Sequence, residues 1–260
     1  MKQIKLIFIS LILWSVAPML QSCDKNDDGN DRQQDTTMNE SNNSNNGGDN
    51  SNGDDNSNGD GNGGNGNDDG GGFKSCPDSN HPHMIDLGLP SGTKWACCNV
   101  GASAPEDYGN YYAWGETQPK SVYSMDNYQY YNSNTGFVNI GSDIAGTGYD
   151  AATANWGAPW CMPSLAQIRE LLNNTTSTWT TENGVYGRKF TGPNGNTMFL
   201  PAAGRRWDSD FSFAGSDGVY RSSTLYEGGP LNACYLVFTS GDALWGYYNR
   251  YCGQSVRPVR

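Results

Sequence analysis

Histidine is nearly absent: the 260-residue chain has two, His81 and His83. Neither sits in a nucleophile elbow, so no Ser-His-Asp set can be drawn. The His-Pro-His spacing near Cys76 and Asp78 has neither the helical nor the hairpin geometry of a zinc site and reads as a polar entry segment. Cations are scarce too. Sixteen Lys and Arg stand against 27 Asp and Glu, a net charge of −11. There is no basic stripe and no Gly-rich phosphate loop, so nucleic acid and nucleotides find no support as partners. Glu106, Glu116, Glu170, Glu182 and Glu227 are scattered, and no carboxylate pair of the glycosidase kind can be assigned. No cofactor and no metal is expected. The chain also lacks any apolar run long enough to span a bilayer; its longest, 6–20, stops short of that length.

That run comes after Lys2 and Lys5 and closes on Leu20-Gln21-Ser22-Cys23. Positive start, apolar stretch and small residue before Cys form a secretory signal. The close resembles the lipobox of bacterial lipoproteins. The resemblance implies cleavage after residue 22 and a diacylglycerol on the Cys23 sulfur, several acyl chains being enough for stable attachment to a membrane. Residues 24–72 are almost wholly Asn, Asp, Gly and Ser, which cannot bury enough apolar surface to offset ordering entropy. This stretch is read as a disordered tether. Its twelve acids against Lys25 and Arg32 carry −10 of the total, leaving −3 for 73–260 once Lys2 and Lys5 are set aside. The low isoelectric point therefore belongs to the tether. A flexible chain of roughly 50 residues spans about 35–42 Å end to end. Asp24, Asp27 and Asp28 resemble the export signals that send lipoproteins of Bacteroidetes-type bacteria to the outer face of the outer membrane. The organisation is thus 1–22 signal peptide, 23–72 lipidated Cys and tether, and 73–260 one folded domain.

Within 73–260 one amphipathic helix is predicted. Ser164 is a good N-cap, Gln167 completes a capping box, and Leu165, Ile168, Leu171 and Leu172 share a face before Asn173-Asn174 ends it. Residues 233–238 and 243–248 flank Thr239-Ser240-Gly241-Asp242 as a hairpin. Residues 94–100, 196–200, 218–223 and 255–259 read as further strands, and Pro201-Ala202-Ala203-Gly204 as a turn. The class is α+β with few helices and small antiparallel sheets.

Asp86-Leu87-Gly88-Leu89-Pro90-Ser91-Gly92-Thr93-Lys94-Trp95-Ala96 resembles the opening of the Fibrobacter succinogenes major paralogous domain. Tyr112-Ala113-Trp114-Gly115-Glu116-Thr117, Ala154-Asn155-Trp156-Gly157, Leu200-Pro201-Ala202-Ala203-Gly204 and Ser255-Val256-Arg257-Pro258-Val259-Arg260 extend the likeness over 84–260. The resemblance implies a C-type-lectin-like fold: a looped sheet, one or two flanking helices, and first and last strands side by side. It makes Trp95, Trp114 and Trp156 core residues and Arg257 a structural donor. The Glu-Pro-Asn and Gln-Pro-Asp calcium motifs of animal C-type lectins are missing, so the fold alone licenses neither calcium nor sugar. After Cys23, six cysteines remain, and an exported chain favours disulfides, with 15 possible pairings. Formylglycine-generating enzymes use a related fold with a reactive cysteine pair. Cys234 and Cys252 would be the counterparts, without the motif that surrounds such a pair.

From residue 205 on, scaffold-like pieces, Phe238 and Trp245 among them, alternate with Tyr, Asp, Arg and Trp in a paratope-like mixture. The predicted contact residues are Arg205, Trp207, Asp208, Asp210, Arg221, Leu225, Tyr226, Glu227, Asp242, Leu244, Tyr247, Tyr248 and Tyr251. The arrangement resembles the variable proteins of diversity-generating retroelements. Trp207 and Glu227 depart from it, since adenine mutation of an Asn codon does not reach them. The expected function is a lipid-anchored surface protein that binds a protein or glycan without catalysis. The alternatives are an enzyme related to formylglycine-generating or carbohydrate-active proteins, and a component of a surface fibre.

Overall fold

The computed structural model describes residues 83–260. The expected signal peptide, Cys23, the stretch 24–72 read as a tether, and the segment holding Cys76, Asp78 and His81 lie outside the described residues. In chain order the elements are β1 (Met84–Asp86), β2 (Lys94–Ala96), β3 (Tyr111–Tyr112), β4 (Tyr131–Asn132), β5 (Gly136–Phe137), α1 (Ala151–Trp156) and α2 (Leu165–Asn174). They continue with β6 (Thr176–Glu182), β7 (Val185–Thr191), β8 (Thr197–Pro201), β9 (Arg205–Trp207), β10 (Asp210–Ser212) and β11 (Gly218–Leu225). β12 (Asn232–Phe238), β13 (Ala243–Asn249) and β14 (Gly253–Ser255) complete the chain. Two short helices among many strands make the described part α+β.

The main sheet runs β10-β9-β14-β11-β12-β13, with β3 on β14. It is larger than the small antiparallel sheets expected, and it is mixed, because β14 lies parallel to β11. β6, β7 and β8 form a second, three-stranded sheet. The expected final strand begins earlier than predicted, at Gly253. Residues 256–259 instead run extended along the start of the domain. Lys94 and Arg260 exchange backbone bonds of 2.9 Å, and Val259 bridges both Trp95 and Cys161. Arg257, fully buried, fastens this closure by donating to Asn99 Oδ1 at 2.8 Å and to the Ala96 carbonyl at 3.2 Å.

α2 forms as its sequence dictates. Ser164 Oγ accepts from the Gln167 N–H while the Gln167 side chain accepts from the Ser164 N–H, satisfying donors that a bare helix start leaves orphaned. Ile168 and Leu171 recur on one face and are buried against Tyr220, Leu236 and Phe238. Each such side chain contributes about 1.5–3 kcal/mol by leaving water. α2 therefore covers one face of β11–β13 and leaves the other face open to the loops.

Helix α1, the β6–β7 hairpin and the short strands β1, β3, β4, β5, β9 and β10 were not among the individual elements expected. α1 begins at Asp150, whose buried carboxylate accepts from Ala152 and Thr153 at 2.8 and 3.0 Å and from Gly146 and Met162 at 2.8 and 2.9 Å. β6 and β7 form a hairpin in full register from Thr176↔Thr191 to Glu182↔Val185. Its turn is Asn183-Gly184, both at positive φ (48° and 83°), the conformation whose twist matches the flanking strands.

Candidate functional site

Strand alternation divides the predicted contact residues between the two faces of the main sheet. In β12–β13 the pairs Cys234↔Tyr247, Leu236↔Trp245 and Phe238↔Ala243 share the α2 face. The pairs Ala233↔Tyr248, Tyr235↔Gly246 and Val237↔Leu244 share the other. On that second face Leu244 is 58 % exposed, while Tyr235, Val237 and Tyr248 are half-buried.

Arg205, at the start of β9, reaches onto the same face. Its guanidinium carbon lies 4.5 Å from the Tyr248 ring centre and 4.9 Å from that of Phe213. Tyr235 meets Tyr248 edge to face at 6.2 Å. Cation–π stacking of this kind contributes about 0.5–1 kcal/mol at an exposed site, and it holds a long side chain in one place. Phe213 is half exposed at 50 % and sits at φ +64°, a region that a bulky residue enters only under constraint. The constraint is local. Ser216 and Asp217 donate their N–H groups to the Phe213 carbonyl at 3.1 and 2.9 Å. Gly204 packs so tightly below that a Cβ there would lie 2.3 Å from the Ser212 carbonyl oxygen and 2.6 Å from the Ala214 nitrogen. Arg205, Phe213, Tyr235, Leu244 and Tyr248 thus form one aromatic–cationic patch on a rigid sheet.

The other predicted residues lie elsewhere. Tyr226 and Tyr247 stack at 3.7 Å, with Tyr247 on the α2 face and Glu227 exposed beside them. Leu225 packs against the second core cluster. Trp207, Asp208 and Asp210 form the β9–β10 hairpin, where Asp208 exchanges backbone bonds with Tyr123 at 2.8 and 3.0 Å. Asp242 closes the β12–β13 turn through its carbonyl.

Two residues must be struck from the contact set. Arg221 is fully buried because the chain at Asn249–Cys252 folds over it; it donates to the Cys252 and Asn249 carbonyls at 2.6 and 3.3 Å. Burial lowers its pKa to about 10. Tyr251 is 8 % exposed and accepts from the Asn249 amide at 2.9 Å. Conversely, Trp245, read as scaffold, is 40 % exposed, with Arg169 of α2 4.2 Å from its ring. Phe213 and Tyr235 were missed. Strand parity could have found Tyr235, whereas nothing local marks Phe213.

Cys161 and Cys234 are free thiols, and Cys97, Cys98 and Cys252 are buried. Burial pushes the Cys161 and Cys234 pKa values up to about 11, so little thiolate forms at neutral pH. Among the described residues no three His, Cys, Asp or Glu converge to hold a metal, and no helix is long and apolar enough to cross a membrane. Comparison with known proteins found no family model, no curated protein and no solved structure that matches the chain.

Proposed function

We propose that the chain is a cell-surface lipoprotein whose folded domain binds a protein or glycan ligand through the Arg205–Phe213–Tyr248 patch. The observation that carries this reading is a half-exposed phenylalanine held in a costly backbone conformation and stacked on an arginine that also stacks on Tyr248. Rigid aromatics offer contact area with little side-chain entropy to lose, and the guanidinium supplies donors at their centre. The lipid on Cys23 and the acidic tether are proposed to hold this surface away from the outer membrane, facing the exterior. A C-type-lectin-like arrangement is proposed for the domain; the antiparallel contact of Lys94–Ala96 with the last residues supports it.

Binding without catalysis is favoured over cysteine chemistry because the Cys234 thiol is buried and its pKa raised. If the C-terminal quarter is diversified, the varied positions are the exposed ones, and buried Arg221 and Tyr251 are not among them. The test is a glycan and surface-protein array probed with the full chain and with an R205Q/F213G/Y248A variant. Ligands retained by the wild type and lost by a variant of nearly unchanged melting temperature support the reading. An identical set of ligands for both overturns it.

A further inference from the structure

Arg205 and Arg206 are neighbours in one strand, so their side chains leave on opposite faces. Arg205 belongs to the patch. Arg206 instead lines a cleft of about 390 Å³ with Asn110, Tyr111, Lys120, Ser121 and Tyr123. The volume falls in the range of small-molecule sites. We infer that this cleft is a second binding site, one that takes a carboxylate group.

Most polar groups of the cleft are already engaged. Lys120 Nζ forms an ion pair with Glu116 at 2.8 Å and bonds to Glu116 Oε1, the Asn127 carbonyl and Asn127 Oδ1 at 3.0, 3.2 and 3.1 Å. Its three protons and its charge are committed. The Tyr123 hydroxyl donates to the Tyr111 carbonyl and accepts from the Lys120 N–H. The Arg206 guanidinium is different. It lies against two aromatic rings that meet edge to face, 4.6 Å from the Phe211 centre and 5.2 Å from that of Tyr111, and no described carboxylate lies within ion-pair distance. The rings hold the guanidinium beside the cleft, and no described residue takes up its N–H donors, which remain for a ligand. Ser121, exposed, and Asn110, half-buried, add neutral hydrogen-bonding groups to the same cleft. One uncompensated planar cation with neutral polar neighbours matches a carboxylate, which a guanidinium grips with two parallel bonds. A doubly charged phosphate would call for more positive charge than the cleft offers.

Two sources can present that carboxylate: an acidic sugar or an acidic side chain of a protein. The full chain, labelled for amide and guanidinium NMR, is titrated separately with galacturonate, with galactose as the neutral control, and with N-acetylglutamate methylamide. The expected result is saturable shifts at Asn110, Ser121 and the Arg206 Nε–H with a carboxylate and none with galactose. Saturation by galacturonate alone identifies a sugar source, and by the blocked glutamate alone a protein source. R206Q should weaken binding about tenfold or more, R206K less, and K189Q, a charge removed elsewhere, not at all. The melting temperature of R206Q checks that the fold is intact. No saturable shift with either carboxylate, or R206Q binding as tightly as wild type, overturns the inference.

Discussion

Replacing Asp150 by Asn tests how the loops are tied to the sheet. Asp150 Oδ1 caps α1, and Oδ2 accepts from the Gly146 and Met162 N–H groups. In D150N one oxygen survives to cap the helix, while an amide NH2 faces two N–H donors with no way to accept from them. The site is wholly buried, so water does not replace the lost partners. Two bonds to a charged acceptor, each contributing about 1.5–3 kcal/mol and not fully additive, set the cost at about 3 kcal/mol. For a domain of this size that lowers the melting point by about 6–12 °C. Near-UV circular dichroism during heating reads it directly. A D150N melting point within about 2 °C of wild type would refute the reasoning, since loss of two buried charge-assisted bonds cannot cost so little.

F213G should keep the melting temperature or raise it slightly, because glycine accepts φ +64° without the penalty that phenylalanine bears there; a loss above about 2 kcal/mol in a denaturant titration would mean the ring is core. Stability should be flat to about pH 8.5 and fall above it. Cys161 and Cys234 titrate near 11 in the folded chain against 9.0 for an ordinary thiol, and Tyr220 near 12 against 10.0 for an ordinary phenol. The unfolded chain therefore releases these protons first, and the stabilisation is present below pH 9 and lost as pH rises through 11–12; chemical denaturation across that range, starting from neutral pH, checks the sign. Alkylation of the unfolded chain without reductant should label Cys161 and Cys234, which are free thiols; protection of either would show that it is held in a disulfide.

Legibility followed how locally each element is determined. α2 was readable because its cap, its box and its apolar face lie within one short stretch, 164–174. The 232–249 hairpin was readable because apolar alternation flanks a four-residue polar turn. The β6–β7 hairpin was not expected because β6, Thr-Ser-Thr-Trp-Thr-Thr-Glu, has one apolar residue and no hydrophobic face; β-branched threonines and Asn183-Gly184 specify it instead. α1 is six residues with no amphipathic period, and Asp150 secures it through bonds to residues on both sides. The site was half legible. The residue types after 205 pointed to the main sheet as the proposed contact surface; Arg205 stacks on Tyr248 there, and Leu244 shares their face. Arg221 shows what sequence leaves out: strand parity puts it on the open face, but residues 249–252 return to cover it. Phe213 depends on the close approach of Gly204 to residues 212–214, a contact that no periodicity announces.

The most direct test of the binding surface is amide hydrogen exchange on the full chain with and without a ligand captured from the array. Binding through the patch predicts slowed exchange in 205–213, 235–237 and 244–248, with the α2 face unchanged. Protection confined to the 176–191 hairpin or to α2, with the patch exchanging freely, would contradict it.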